Sequence, residues 1–218
     1  MIEECTDSSG AIVSLANVIF EQRYLSSERR CVTKVRLVQD LRVAILRILP
    51  VAHPLPLTDV FRSEAGNSKF VFYTNLDASS MYYQWRVHPD LYKKLFVFQA
   101  GHKLYTMKRL PMGMKTSGSL VQAAMERLFS SVSTNVKIYL DDISVCSESV
   151  ETHLSVDLPK TLSICSRFNV LLKPAKADIC QSQCRILGFS VSSGMQSLAP
   201  EKSEKIANIE FRVLKPRL

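Results

Sequence analysis

The chain has no Cys-x-x-Cys pair, no internal repeat, no low-complexity tract and no apolar run long enough to span a bilayer. Each absence excludes something. The six cysteines, at positions 5, 31, 146, 165, 180 and 184, read as scattered core residues of a reduced protein. Cys180 and Cys184 are spaced Cys-x3-Cys, with no second pair nearby to complete a zinc site. The longest early apolar stretch, Ala11 to Phe20, is interrupted by Ser14 and Asn17 and has no basic segment ahead of it. That argues against a spanning helix or a signal peptide and for an intracellular protein without a membrane partner. With no long linker either, 218 residues make one large domain or two small ones.

What is present is an ordinary globular composition with a basic excess. Hydrophobic residues are 46% and charged residues 22%, enough for a real core. Lys plus Arg is 28 against 20 for Asp plus Glu, a net charge of +8 that suits a polyanionic partner such as nucleic acid.

Short strand-like runs alternate with amphipathic helices, which predicts a mixed α+β fold. Val32 to Leu41 reads as a strand with charge on one face, Pro50 to Pro56 as an extended segment and Gly66 to Ser68 as a turn. Phe70 to Leu76 reads as a buried strand ending at Asp77. Ser119 to Val132 has the period of a helix, and Ser119 with Gln122 fits a capping box. Ser149 to about Ser166 predicts a second helix with Val150, Leu154, Leu158, Leu162 and Cys165 as its buried stripe. Pro159 falls inside it, where proline costs about 3 kcal/mol.

The stretch Val136 to Cys146 places Asp141 and Asp142 between two apolar runs. A hairpin with these two residues as its loop would pair Leu140 with Ile143 and Ile138 with Val145, keep the apolar residues on one face and put both carboxylates at the tip. Alone, such a pair is most often a solvated turn. Asp77 changes the weighing. If the strands ending at Asp77 and Leu140 are neighbours, three carboxylates converge, and hard divalent cations are their natural counter-charge.

Tyr139-Leu140-Asp141-Asp142 matches the Tyr-x-Asp-Asp signature of reverse transcriptases, and nearly the whole chain, in order, resembles the Pol polyprotein of Ty3/gypsy-like long-terminal-repeat retrotransposons. Lys34 to Arg42 resembles the family's fingers motif, Leu76 to Gln84 its first catalytic motif, and Leu110-Pro111-Met112-Gly113-Met114 its Leu-Pro-Phe-Gly-Leu. Glu151-Thr152-His153 and Lys176 fall where the family has Glu-x-His and a lysine, and Leu187-Gly188-Phe189 resembles the segment leading to the primer grip. The resemblance implies a right-hand polymerase, with fingers and palm interleaved over residues 1–196 and the start of a truncated thumb or linker over 197–218. Its palm would be an antiparallel sheet with packed helices.

It further implies RNA-directed DNA polymerase activity, adding dNTPs to a primer on an RNA or DNA template. Asp77, Asp141 and Asp142 would be catalytic ligands of two Mg²⁺ ions, with Mn²⁺ as the alternative metal. Arg36, Tyr82, Met112 and Lys176 would contact the dNTP, Tyr82 as the ring that excludes a 2′-hydroxyl. Tyr139, Gly113 and Gly188 would support the motifs. The remaining Pol domains (thumb, RNase H, integrase) would be partners in a full-length element. In isolation Tyr82 reads as core, Arg36 and Lys176 as solvated charges, Met112 as packing, and His153 as a cap or surface residue.

Some positions depart from the family: Met81 for a small Gly, Ile45 for Asn, Met112 for Phe, Phe20-Glu21-Gln22-Arg23 for a basic run, and Pro159 within a helix. They leave a second expectation beside the active enzyme: a decayed or co-opted, catalytically inactive nucleic-acid-binding remnant. An RNA-dependent RNA polymerase is disfavoured by Tyr82.

Overall fold

A computed structural model gives the structure and describes residues 1–25, 30–50, 53–132 and 135–207. In chain order the strands are β1 (Ile2–Glu4), β2 (Val13–Leu25), β3 (Arg30–Gln39), β4 (Phe72–Asp77), β5 (Val97–Ala100), β6 (Lys103–Met107), β7 (Val136–Tyr139), β8 (Asp142–Ser147), β9 (Asp178–Gln181), β10 (Gln183–Ile186), β11 (Phe189–Ser192) and β12 (Met195–Leu198). The helices are α1 (Arg42–Ile45), α2 (Thr58–Ala65), α3 (Met81–Gln84), α4 (Pro89–Leu95), α5 (Ser117–Phe129), α6 (Val150–Thr152), α7 (Leu158–Arg167) and α8 (Pro200–Ala207). A π turn, His153–Asp157, joins α6 to α7, and a 3₁₀ turn covers Pro174–Lys176. Among the described residues no helix is long and apolar enough to cross a membrane.

The chain divides into two compact units, one of Met1–Leu55 with Ser80–Ala124 and one of Pro56–Ser79 with Met125–Leu218. The first holds a five-stranded sheet in the order β1-β6-β5-β2-β3. The strand expected over Val32 to Leu41 is β3, antiparallel to β2, while β2 and β5 run parallel. Gln39 Nε2 donates to Ser14 Oγ at 2.8 Å and ties β3 to β2 from a buried position. Pro89 pre-sets the first turn of α4, and the His88 imidazole accepts the Asp90 N–H at 3.4 Å.

The second unit holds a four-stranded sheet, β7-β8-β4-β9, and a three-stranded one, β10-β11-β12. Period-two alternation gives the first of these two distinct faces. Tyr73 and Cys146 pack with Phe61 and Ala65 of α2, Phe70, Cys184, Ile186 and Val191 into one core cluster. Leu76, Ile143 and Val145 are buried on the opposite face together with Thr74 and Ser147. Leu187 and Gly188, both at positive φ (50° and 79°), make the tight loop between β10 and β11, whose flanking pair is Ile186 with Phe189. A two-residue loop with both residues left-handed matches strand twist, which is why a glycine stands there.

Three expectations are corrected. The hairpin loop is Leu140-Asp141, with Tyr139 paired to Asp142 and Ile138 to Ile143. This register is two residues from the expected one, so with a side-chain period of two every residue keeps its face. Helix α5 starts at Ser117, and the Leu120 N–H bonds the Thr116 carbonyl, so Thr116 stands at the cap position and Ser119 lies within the first turn, away from any capping box. The helix after Ser149 buries His153, Asp157, Leu158, Thr161 and Cys165, while Val150, Leu154 and Leu162 are exposed. The π turn explains both this rotation and the tolerance of Pro159. The Leu158 N–H reaches back to the His153 carbonyl, and Pro159, without an N–H, falls in the first turn of α7 where none is needed.

Candidate active site

The site is built at one end of the four-stranded sheet in the second unit. Antiparallel pairing sets Asp77, the last residue of β4, directly opposite Asp142, the first of β8. Thus Asp77 adjoins the returning arm of the hairpin, and β7 lies beyond it. Side chains so paired stand about 4.5–5.5 Å apart at Cβ, and like charges there destabilise the pair. Asp141 is at the hairpin tip, its carbonyl accepting the Ala78 N–H at 2.8 Å. Leu140, just before it, is held at φ 54°, a conformation that a branched side chain adopts only where its surroundings enforce it.

A second segment closes on Asp77. Residues 171–173 run antiparallel along 77–79: the Ser79 N–H bonds the Leu171 carbonyl at 2.7 Å and the Lys173 N–H bonds the Asp77 carbonyl at 2.9 Å. This aligns Lys173, whose ammonium pairs with Asp77 Oδ1, and the 3₁₀ turn brings Lys176 Nζ to within 3.0 Å of Oδ2. Burial pushes the Asp77 carboxyl up, but the hydrogen bonds and charges of Lys173 and Lys176 outweigh it and hold the group below its ordinary range. Asp142 goes the other way: partial burial, then repulsion from Asp141 and Asp77, lifts it to about 6 against the pull of the two lysines.

Asp77, Asp142 and Lys176 line a cleft of about 360 Å³, with Asn75, Ser144, Asp178 and Arg185 among its other walls. Ser144 Oγ donates to Asn75 Oδ1 at 2.9 Å, and Asn75 Nδ2 donates to the Arg185 carbonyl at 2.5 Å, fixing the cleft floor. Among the described residues no three Asp, Glu, His or Cys side chains are gathered as a ready metal cluster. The donor chemistry nonetheless fits hard cations, with oxygen ligands only and two carboxylates forced together across a strand pair, while Lys173 and Lys176 compete with a cation for the Asp77 oxygens.

The other expected residues are distributed as follows. Tyr139 stacks edge-on against Phe61 at 5.6 Å and supports the hairpin from the core side. Gly188 makes the β10–β11 loop in the same unit. Tyr82 (on α3, half-buried), Met112 (50% exposed) and Gly113 (φ 86°) belong to the first unit. Met81, the departure beside Tyr82, is buried. Arg36 is on β3 opposite Ile19, and its side chain, like those of Phe20 to Arg23, lies outside the described residues.

Sequence reasoning missed Lys173, although its spacing from Lys176 across Pro174 and Ala175 was open to reading. It also misplaced His153, which is no surface cap. His153 is fully buried, with Nε2 2.7 Å from Thr74 Oγ1 and Nδ1 2.8 Å from Ser147 Oγ. Ser149, four residues earlier, is the cap, its Oγ accepting the Thr152 N–H.

Comparison with known proteins places this geometry. The family described as "Reverse transcriptase (RNA-dependent DNA polymerase)" matches residues 26–191. The chain is 30% identical over 176 residues to an enzymatic polyprotein of Cestrum yellow leaf curling virus, covering 79% of this chain and 27% of that protein. It is 27% identical over 173 residues to the retrovirus-related Pol polyprotein from transposon gypsy of Drosophila melanogaster, covering 78% of this chain and 16% of the relative. The chain therefore spans about a quarter, or less, of the length of these relatives. Among solved structures, a foamy viral protease-reverse transcriptase in complex with double-stranded DNA superposes with a TM-score of 0.74 at 22% identity, covering 82% of this chain and 31% of that one. The fold is thus that of a right-hand polymerase, palm and fingers.

Proposed function

This chain belongs to the reverse transcriptase family, and we propose that it is the fingers and palm core of an RNA-directed DNA polymerase, working inside the cell as part of a retroelement Pol polyprotein. Residues 1–196 would form fingers and palm and residues 197–218 the start of the thumb or linker. The observation that carries the reading is the Asp77–Asp142 pair on one cleft, with Asp141 beside it and two lysines reaching Asp77.

Asp77 and Asp141 would be the principal ligands of two Mg²⁺ ions, or Mn²⁺, with Asp142 in support. Bound there, the metals would activate the primer 3′-hydroxyl and neutralise charge on the attacking and leaving oxygens of an in-line displacement. Everything else falls to the chain's own groups. Lys176, more than half exposed, is free to turn from Asp77 toward triphosphate oxygens. Arg36 would contribute a guanidinium to the same phosphates. Tyr82 would select deoxynucleotides by clash with a 2′-hydroxyl, and Met112 would border the sugar or the template base. The partners are a primed RNA or DNA template, dNTPs and the remaining Pol domains: thumb, RNase H and integrase.

Primer extension on primed RNA with Mg²⁺ and dNTPs tests this reading, with Asp141→Asn as control. The expected outcome is deoxynucleotide addition by the native chain, falling at least about a hundredfold in the variant. Equal background in both, here and in a longer Pol chain, would contradict it. One observation favours a second reading: Asp77 is held by two ammonium groups, as in a decayed copy that keeps nucleic-acid binding without turnover. On that reading the native chain would bind template–primer and extend nothing.

A further inference from the structure

We propose that the first compact unit carries a binding pocket for a small, neutral, aromatic molecule bearing a hydrogen-bond acceptor. The pocket is a cavity of about 390 Å³, well away in character from the charged cleft, and its walls include Trp85, Leu95, Leu110, Met114, Leu120 and Ala124. That volume lies at the lower end of the roughly 300–1,000 Å³ typical of small-molecule sites.

Two buried polar atoms on lining residues point to a ligand. Trp85 Nε1 and Thr116 Oγ1 have no hydrogen-bond partner among the described residues. Thr116 is 4% exposed and stands at the cap position of α5, where a threonine hydroxyl ordinarily takes a backbone N–H. Here it makes no such bond, although it lines the cavity. An indole N–H can only donate, so the complementary group is an acceptor. A flat apolar ring with one carbonyl-like oxygen satisfies the walls and the indole together. Arg86 and His88, the basic members of the lining, are both exposed, which leaves the buried part without charge and so favours a neutral occupant. Leu110 and Met114 flank the Met112–Gly113 turn, so an occupant braces that turn from beneath. None of this depends on the polymerase reading.

The chain has a single tryptophan, so its ¹⁵N-labelled form gives one indole N–H resonance, the group in question. Titration of the full chain with benzophenone should move that resonance downfield to saturation. Diphenylmethane, similar in size but without the oxygen, should bind about three- to tenfold more weakly and give no downfield shift. Ala124→Phe and Leu120→Phe fill the cavity and should abolish the benzophenone response while the remaining amide resonances show an intact fold. Leu120 is 39% exposed, so that variant serves where Ala124→Phe fails to fold. An indole resonance that ignores benzophenone, or moves equally in a folded filled variant, overturns the site. Equal affinity for the two probes overturns the acceptor.

Discussion

The two faces of the β7-β8-β4-β9 sheet carry opposite kinds of polar construction on the same strands. On the helix face Thr74 of β4 and Ser147 of β8 join a buried chain of hydrogen bonds whose direction can be worked out from its ends. The Cys180 N–H donates to Thr74 Oγ1 at 3.0 Å, and Ser147 Oγ donates to Asp157 Oδ2 at 2.6 Å. The Thr74 hydroxyl then gives its proton to His153 Nε2, and His153 Nδ1–H donates to Ser147 Oγ, which fixes one neutral tautomer. Asn135 Nδ2 adds a further donor to Asp157 at 3.3 Å. Every donor in this chain points toward one carboxylate, and each member is satisfied. On the other face Asp77 and Asp142 oppose each other as like charges, balanced by lysines that are 35% and 61% exposed. Satisfied and buried, the first network holds helix to sheet. Frustrated and open, the second has affinity left over for something that binds.

Breaking the buried network should have the largest effect on stability. His153→Ala removes a ring from a fully buried position and strands Thr74 and Ser147, and should cost about 3–5 kcal/mol in urea denaturation. The same histidine should leave a signature in pH. Burial, opposed by the charge of Asp157, holds the folded His153 below its ordinary 6.5, so the unfolded chain takes up its proton first. Stability from this group is complete above about 6.5 and declines as pH falls from there toward the lowered folded value. A folded His153→Gln variant should lose that slope.

Two serines on β8 sharpen the contrast. Ser147→Ala deprives His153 of its acceptor and Asp157 of a donor, and should cost about 1–3 kcal/mol. Ser144→Ala, three residues away on the cleft face, removes one neutral hydrogen bond, to Asn75, and should cost about 1 kcal/mol. Equal losses by thermal denaturation would erase the distinction between the faces.

The open face was the more legible in sequence. Asp77, Asp141 and Asp142 interrupt apolar runs, and a carboxylate in a strand is conspicuous. Even a register wrong by two residues left the apolar faces correct. The buried network was invisible because it inverts the usual code. Val150, Leu154 and Leu162 form a plausible stripe, yet the helix turns His153, Asp157 and Thr161 inward, and Thr74, which meets His153, is 79 residues away in sequence and absent from any local pattern. The π turn that sets this phase has no composition signal beyond Pro159. Lys173 escaped for a similar reason: its place beside Asp77 comes from backbone pairing of residues 171–173 with 77–79.

The central claim, that the carboxylate end of this sheet is a metal site held in check by lysines, is tested most directly by calorimetric titration with Mn²⁺. The native chain should bind Mn²⁺ saturably, Asp77→Asn should lose that binding, and Lys173→Ala, which frees a carboxylate oxygen, should bind several-fold more tightly. Binding that is the same in the native chain and in Asp77→Asn would contradict the account.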